Sequence, residues 1–441
     1  MARAKKEAAL TPEERLKEAL VPDWEWPYKL PENWCWTTVG AINQYAGISA
    51  NPTKAKNETF ELYSVPSSAD NYPEIVLGAD IGSTKQSVKK GDVLLCKINP
   101  RINRVWKVSK YTDHSLLASS EWIVIRNSGL ISNYLMWCFR SPYFRRYMLS
   151  NVSGVGGSLM RAQPKFVQGY PVPVPPFAEQ QRIVDRIENL FTKLDEAKEK
   201  AQAVLDSFET RKAAILHKAF TGELTAKWRE EHGVSIDNWK TTRFDSVAAI
   251  RSNLVDPAEY QSFPHIAPDN IEKKTGVLLE YHTIAEDGVT SGKHRFYSGQ
   301  ILYSKIRPYL SKAVVVDFDG LCSADMYPIE AYQNARCLWY YMLSDEFLLQ
   351  ASTAGSRSVL PKINQKELSA LTVHLPTNDR EQEEIARILD ELFDKEQQTK
   401  EAAEVVLDQI DLMKKSILAR AFRGELGTND PSEESAVELL R

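Results

Sequence analysis

No apolar run in this chain approaches the roughly 18–20 residues that a membrane-spanning helix needs. The N-terminus, MARAKKEAAL, has basic residues but not the apolar stretch of a secretory signal. Cysteine is scarce: Cys35, Cys96, Cys138, Cys322 and Cys337 are odd in number, far apart and without a CxxC pair. That pattern favours neither a disulfide framework nor a zinc site. No membrane association and a cytoplasmic location are the resulting expectations.

Catalytic motifs are missing too. The seven histidines form no HExxH and no HxH. Gly78 to Lys85 (GADIGSTK) lacks the Lys-Ser/Thr ending of a P-loop, and Gly154 to Ser158 lacks GxGxxG spacing. Val174-Pro175-Pro176-Phe177 superficially matches the Asn-Pro-Pro-Phe loop of amino-methyltransferases. Val174 has no side-chain carbonyl to accept from a target amine, so a strand-to-helix junction is the plainer reading. Pro268-Asp269 with Glu272-Lys273-Lys274 echoes a nuclease pattern. Acids three residues apart in DNIEKKTG cannot supply the two-strand geometry that such a nuclease requires, and a turn is expected. Neither catalysis nor a metal is expected of this chain alone.

What is present is a repeat. LDSFETRKAAILHKAFTGEL at 205–224 returns 202 positions later as LDQIDLMKKSILARAFRGEL, with ten of twenty positions identical. The same offset carries Glu179-Gln180 onto Glu381-Gln382 and Leu190-Phe191 onto Leu392-Phe393. A duplicated chain makes two similar objects, and these suit a ligand with two similar halves, of which duplex DNA is the commonest. With 441 residues, two to four domains are expected.

The order reads as mixed block, long helix, mixed block, long helix. Residues 1–30 form a prelude in which Thr11-Pro12-Glu13-Glu14 looks like a helix start. The prelude is expected to pack near the ends of the long helices. Residues 31–175 are mixed, with β-type runs such as GDVLLCKI (91–98) and EWIVIRN (121–127), a helical run at 132–150 and a proline-rich exit. Residues 176–237 hold a long helix, expected to run to about Phe220, and a linker. Its apolar positions Ile183, Ile187, Leu190, Leu194, Ala197, Ala201, Val204 and Phe208 step by four and three, then seven across Arg211 to Ile215: a coiled-coil seam. Residues 238–375 repeat the mixed type. Residues 376–426 rebuild the seam through Ile385, Leu389, Leu392, Ala403, Val406, Ile410, Met413 and Ile417, interrupted at Glu396 and Thr399. Residues 427–441 are an acidic tail, expected to be loose with one terminal helical turn.

Net charge is −4, yet its distribution is uneven. Ile81 to Tyr111 holds eight basic residues against one acid, and Gly288 to Val316 five against none; 379–411 holds twelve acids against four bases. Such asymmetry predicts basic DNA-facing surfaces apart from acidic protein-facing or solvent-facing ones. The candidate contacts fall in two matched loops. Lys97, Asn99, Arg101, Asn103, Arg104 and Lys107 belong to the first, and Lys305, Arg307 and Tyr309 to the second. Arg reads guanine bidentately and Asn reads adenine. Arg101 and Arg307 are expected to read or flank bases, and Arg104 and Lys107 to grip phosphate. Two glycine-bearing segments form a second pair, with Ser158 and Arg161 in one and Ser356, Arg357 and Lys362 in the other. Glycine lets a backbone approach a phosphate.

These residues resemble the specificity (S) subunit of type I restriction–modification systems, the HsdS family. The carriers are PPFAEQQRIVDRIENLF, AILHKAFTGELTAKW, EQEEIARILDELF and SILARAFRGEL, within a layout that covers Trp34 to Leu426. The resemblance implies an α+β fold: two globular, mixed target recognition domains separated by two long antiparallel coiled-coil helices in a pseudo-twofold repeat. It implies a non-catalytic chain whose domains each read half of an asymmetric bipartite DNA target. It implies two methyltransferase (M) subunits and restriction/translocase (R) subunits as partners, with S-adenosylmethionine, ATP and Mg on those partners and no cofactor here. Two other readings compete. A coiled-coil scaffold that binds only proteins would not need a basic loop in each block. A methyltransferase in its own right would need the Asn-Pro-Pro-aromatic motif.

Overall fold

A computed structural model describes residues 11–154, 160–354 and 361–441. The chain divides into two compact units, residues 1–200 with 406–441, and residues 201–405. Each is built from the same parts.

In the first unit a five-stranded sheet has the order Ser49–Ala50, Lys85–Ser87, Ser115–Ala118, Thr59–Tyr63, Glu74–Leu77, with one parallel pair between Thr59–Tyr63 and Ser115–Ala118. A three-stranded antiparallel sheet places Val93–Cys96 between Val105–Lys107 and Trp122–Ile125. All four residues of Val93–Cys96 are buried, as a central strand covered on both faces requires. A ribbon pairs Cys35–Thr38 with Pro171–Val174. The second unit repeats this plan. Its five-stranded sheet runs Leu254–Val255, Lys293–Phe296, Gly320–Cys322, Pro264–Ile266, His282–Thr283, again with one parallel pair. Ile301–Ser304 lies between Ala313–Val315 and Met326–Ala331, and Trp239–Arg243 pairs with Thr372–Pro376.

The helical run at 132–150 is two helices, Ser132–Arg140 and Pro142–Ser150. Pro142 lacks the N–H that would continue the first, and Ser141 caps the second by accepting from Phe144 N at 3.2 Å. The second unit has Ala335–Met342 and Asp345–Ala354 in the same places.

The long helices span Phe177–Asp206, continued after a break at Ser207 by Phe208–Phe220, and Asp379–Ala421. Within each unit their segments run antiparallel. In the first, Lys414 pairs with Asp195 and Lys198 lies 4.0 Å from Asp411. In the second, Lys400 sits over the Phe208 ring and Arg211 pairs with Glu396 at 2.8 Å. Glu396 therefore occupies an inward place opposite the one step that the first seam skips, so the two breaks meet each other. Thr399 is exposed and off the seam. The seam of the second helix also differs in phase from the sequence reading. Val406 and Met413 are exposed, while Leu407 and Lys414 take the inward positions. Lys414 does so because its stem covers the Phe191 ring, 5.1 Å from Nζ, while its head reaches Asp195.

The repeated Glu-Gln is a buried clamp. Glu179 accepts from Trp34 Nε1 at 2.7 Å, Asn429 Nδ2 at 2.9 Å and Thr428 Oγ1 at 3.1 Å. Glu381 accepts from Trp239 Nε1 at 3.0 Å, Asn238 Nδ2 at 3.0 Å, Thr225 Oγ1 at 2.9 Å and Arg229 Nη1 at 2.8 Å. Gln180 accepts from Ile131 N and Gln382 from Asn334 N, tying each long helix to the start of a short one. The glycine of each Gly-Glu-Leu ending has a left-handed backbone, φ +80° at Gly222 and +74° at Gly424. A Cβ on Gly424 would come within 2.4 Å of Pro31, so the stop signal is also a packing site.

The tail is not loose. Arg182 holds Glu433 through two 2.8 Å hydrogen bonds, and Ala436 is fully buried in the first unit's core beside the terminal turn Ala436–Leu440. The prelude packs there as well. Thr11 and Glu14 form the capping box of Pro12–Ala19, Tyr28 Oη donates to the Phe422 carbonyl at 2.8 Å, and Arg423 covers the Tyr28 ring.

Candidate nucleic-acid interface

The two basic loops share one backbone design. After Val93–Cys96, Asn99 turns left-handed (φ 48°), Pro100–Ile102 forms one 3₁₀ turn, and Asn103 is left-handed again (φ 53°). After Ile301–Ser304, Arg307 (φ 48°), Pro308–Leu310 and Ser311 (φ 47°) do the same. A left-handed conformation at a residue with a Cβ costs on the order of 1 kcal/mol, least for Asn. Pro at the following position presets the turn.

Each turn is clasped by the residues that follow the glycine-bearing segment. Asn99 N donates to Met160 O and Ala162 N to Lys97 O, at 2.7 and 2.8 Å; Arg307 N donates to Pro361 O and Ile363 N to Lys305 O, at 2.7 and 2.9 Å. Lys97 N and Lys305 N donate to Glu121 O and Asp325 O, both at 3.0 Å. The side chains repeat too: Arg161 pairs with Glu121 at 3.4 Å and Lys362 with Asp325 at 3.3 Å. In each unit the loop is thus joined to the residues that follow the glycine-bearing segment, Met160 to Ala162 in the first and Pro361 to Ile363 in the second. Ser158, Ser356 and Arg357 lie outside the described residues.

This register assigns counterparts. Asn99 corresponds to Arg307, Arg101 to Tyr309, Asn103 to Ser311 and Arg104 to Lys312. Arg101, Arg307 and Tyr309 are exposed, and none makes a side-chain hydrogen bond or ion pair among the described residues. Arg104 is half-buried beside Cys96, whose thiol burial pushes up in pKa. Other candidates are partly committed to the fold. Lys107 Nζ donates to Asn133 Oδ1 at 2.6 Å, and Asn103 Nδ2 to the Arg140 carbonyl at 3.2 Å. Lys305 donates to Ala324 O, lies 3.9 Å from Asp325 and covers the Tyr327 ring. Lys97 is half-buried at the base of its turn.

One repeated feature escapes the loop-by-loop reading. Lys85 Nζ donates to the carbonyl and hydroxyl of Ser83, and Lys293 Nζ to those of Ser291. Burial lowers the pKa of both lysines. The signal was a Ser-x-Lys recurring at the offset of 208 that also relates the two turns. The discounted motifs are structural: Pro268–Asn270 is a 3₁₀ turn with Asp269 3.8 Å from Lys312, and Val174 is buried in its strand. Among the described residues no three His, Cys, Asp or Glu side chains group as metal ligands, and no helix is long and apolar enough to cross a membrane.

Residues 236–406 match the family described as the type I restriction modification DNA specificity domain. The EcoDI specificity subunit of Escherichia coli is 36% identical over 345 residues, covering 74% of this chain and 76% of that protein. The chain belongs to the specificity subunits of type I restriction enzymes. The EcoKI specificity subunit of Escherichia coli K12 is 24% identical over 332 residues, covering 69% of this chain and 68% of that one. The solved HsdS subunit from Thermoanaerobacter tengcongensis has the same fold, with a TM-score of 0.64 at 20% identity over 91% of this chain and all of that one. So does a chain solved in a study of assembly and conformational transition of the type I restriction–modification system, at a TM-score of 0.70 and 20% identity over the same shares. As a specificity subunit the chain is non-catalytic. It supplies DNA sequence recognition to a type I restriction–modification complex, and the α+β plan of two mixed units with antiparallel long helices is that of the family.

Proposed function

We propose that each unit reads one half of a split, asymmetric duplex target, mainly in the major groove, and that the long helices set the separation of the half-sites. The observation that carries this reading is one rigid turn built twice with different side chains at its tip, Asn99 and Arg101 against Arg307 and Tyr309. Equal frames with unequal tips suit two half-sites of unequal sequence, with centres about one helical turn apart. Arg101 and Arg307 reach base edges or their immediate neighbours. Arg104, Lys107, Arg161 and Lys362 hold the backbone, together with Ser158, Ser356 and Arg357 of the glycine-bearing segments.

Two methyltransferase subunits dock on the helices and recognition units, and restriction/translocase subunits join them in the cytoplasm. The chemistry belongs to those partners: adenine methylation from S-adenosylmethionine, and translocation and cleavage with ATP and Mg. Mapping methylated adenines by single-molecule sequencing in cells that express the assembled system tests the reading. The expected motif is bipartite and non-palindromic with a constant unspecified gap. A continuous or palindromic motif would overturn it.

A further inference from the structure

The two units carry a groove in the same place, and the grooves differ in charge. In each it lies between the end of the sharp turn, the second short helix and the closing turns of a long helix. The groove of the first unit encloses about 870 Å³ and is lined by six cations, Arg104, Arg140, Arg145, Arg146, Lys415 and Arg423, with no carboxylate. The counterparts follow from register. Ser141 and Ser344 cap equivalent helices, so Arg145 and Arg146 correspond to Leu348 and Leu349, and Arg140 to Leu343. The repeat offset of 202 places Lys415 on Ala213 and Arg423 on Thr221. Arg104 corresponds to Lys312. Six cations in one unit thus stand where the other has one. The second groove is smaller, about 320 Å³, and sets Glu209 and Asp345 against Lys212 and Lys274.

Part of the positive charge serves the fold. Arg140 Nη2 donates to the Val105 carbonyl at 2.8 Å, Arg145 donates to the Arg101 carbonyl, and Arg423 covers the Tyr28 ring. The rest does not. Arg146 and Lys415 are exposed and make no side-chain hydrogen bond or ion pair among the described residues. Arg145 Nε is buried without an acceptor among them. Uncompensated like charges around a concave surface repel one another and focus a positive field that concentrates anions. The fold forms without Arg146 and Lys415, since the second unit has Leu349 and Ala213 in their places.

We propose that this groove seats the phosphate backbone of the DNA beside the half-site met by the first unit, an anchor that the second unit lacks. The inference rests on the DNA-recognition reading above. Duplex DNA is favoured over an acidic protein segment because the groove is continuous with the turn, whose Ile102, Asn103 and Arg104 form one wall of it. A duplex presenting base edges to Arg101 brings its backbone to that wall. Phosphate contacts of this kind set register and affinity, not sequence. The first unit then supplies more of the salt-dependent grip than the second.

The test uses the assembled complex of this chain with its methyltransferase subunits, titrated with cognate and random duplexes at several salt concentrations. Arg146→Gln with Lys415→Gln should weaken both duplexes equally, on the order of tenfold at physiological salt. It should reduce the log–log salt slope by about 0.9 per lost contact. The methylated motif should not change. The reciprocal variant, Ala213→Lys with Leu349→Arg, should steepen the slope. An unaltered slope in an assembled Arg146→Gln/Lys415→Gln complex overturns the proposal. So does a loss confined to cognate DNA, which would make these residues base readers. Failed assembly, seen by size exclusion before DNA is added, overturns it in favour of an acidic partner surface. A wild-type complex that does not distinguish cognate from random DNA would defeat the recognition reading instead, and the slopes would still report on the groove.

Discussion

In the first unit Asn99 takes the left-handed position ahead of Pro100; in the second Arg307 takes it ahead of Pro308. At the next exposed place the first unit has Arg101 and the second has Tyr309. The backbone frame that holds these tips is kept, although the cations of the adjoining groove are not. The segment after the glycines clasps each turn, an Arg161–Glu121 pair is matched by Lys362–Asp325, and Lys85 on Ser83 is matched by Lys293 on Ser291. The backbone solution was kept through divergence and the solvent-facing groups were replaced. A left-handed, proline-set turn holds its side chains in one place whatever they are, so on the proposed reading a change at the tip would alter what is read without altering where.

The clamps differ more than their matched positions suggest, and this gives the largest expected effect. Glu179 is held by neutral donors, whereas Glu381 adds Arg229. Burial alone would raise the pKa of Glu381, but hydrogen bonds from Arg229, Asn238, Thr225 and Trp239 outweigh it and hold the carboxyl below its ordinary 4.5. Glu381→Ala leaves Arg229 and the Trp239 N–H without their acceptor and should cost about 3–5 kcal/mol in urea unfolding. A depressed carboxyl contributes stability that is complete above its unfolded pKa and is lost as pH falls through the folded one. The advantage of wild type over Glu381→Gln should therefore shrink as pH drops below about 4.5. An advantage independent of pH would mean that the ionised carboxylate is not what the clamp needs.

A smaller effect separates the turns. Arg101→Ala should relax one position of one half-site, and Arg307→Ala one position of the other, each losing roughly 1–3 kcal/mol on cognate DNA. Methylation rates on a panel of single-base variants measure this. Relaxation of the same half-site by both substitutions would break the comparison.

The smallest effect is at the seam. Arg211 and Glu396 retain 33% and 21% side-chain exposure, so Glu396→Ala should cost only about 1–2 kcal/mol, between surface and buried pairs. Arg211→Leu with Glu396→Leu should be neutral or stabilising by thermal unfolding. If the double replacement costs as much as the single one, the pair is specifying register and not merely tolerating burial.

The repeat made two alike units and the matched loops legible in advance, and the family resemblance implied the antiparallel helices. Single-sequence periodicity misjudged places where a long polar side chain lies inward. Glu396 reads as an interruption and Met413 as a seam position, yet Glu396 meets Arg211, and Lys414 takes the inward place over Phe191. The tail was misread because its partners are remote. Nothing near Thr428, Asn429 or Glu433 hints at Glu179 or Arg182, about 250 positions away. The unequal grooves were invisible for the same reason, since Arg146 and Lys415 become neighbours only when the chain folds.

The central claim is that two units on a shared frame read separately. Replacing residues 31–175 with the corresponding block of another specificity subunit, then mapping methylated adenines, tests it most directly. One half of the motif should change while the other half and the gap between them stay as they were. A change in both halves, or in neither, would contradict the account.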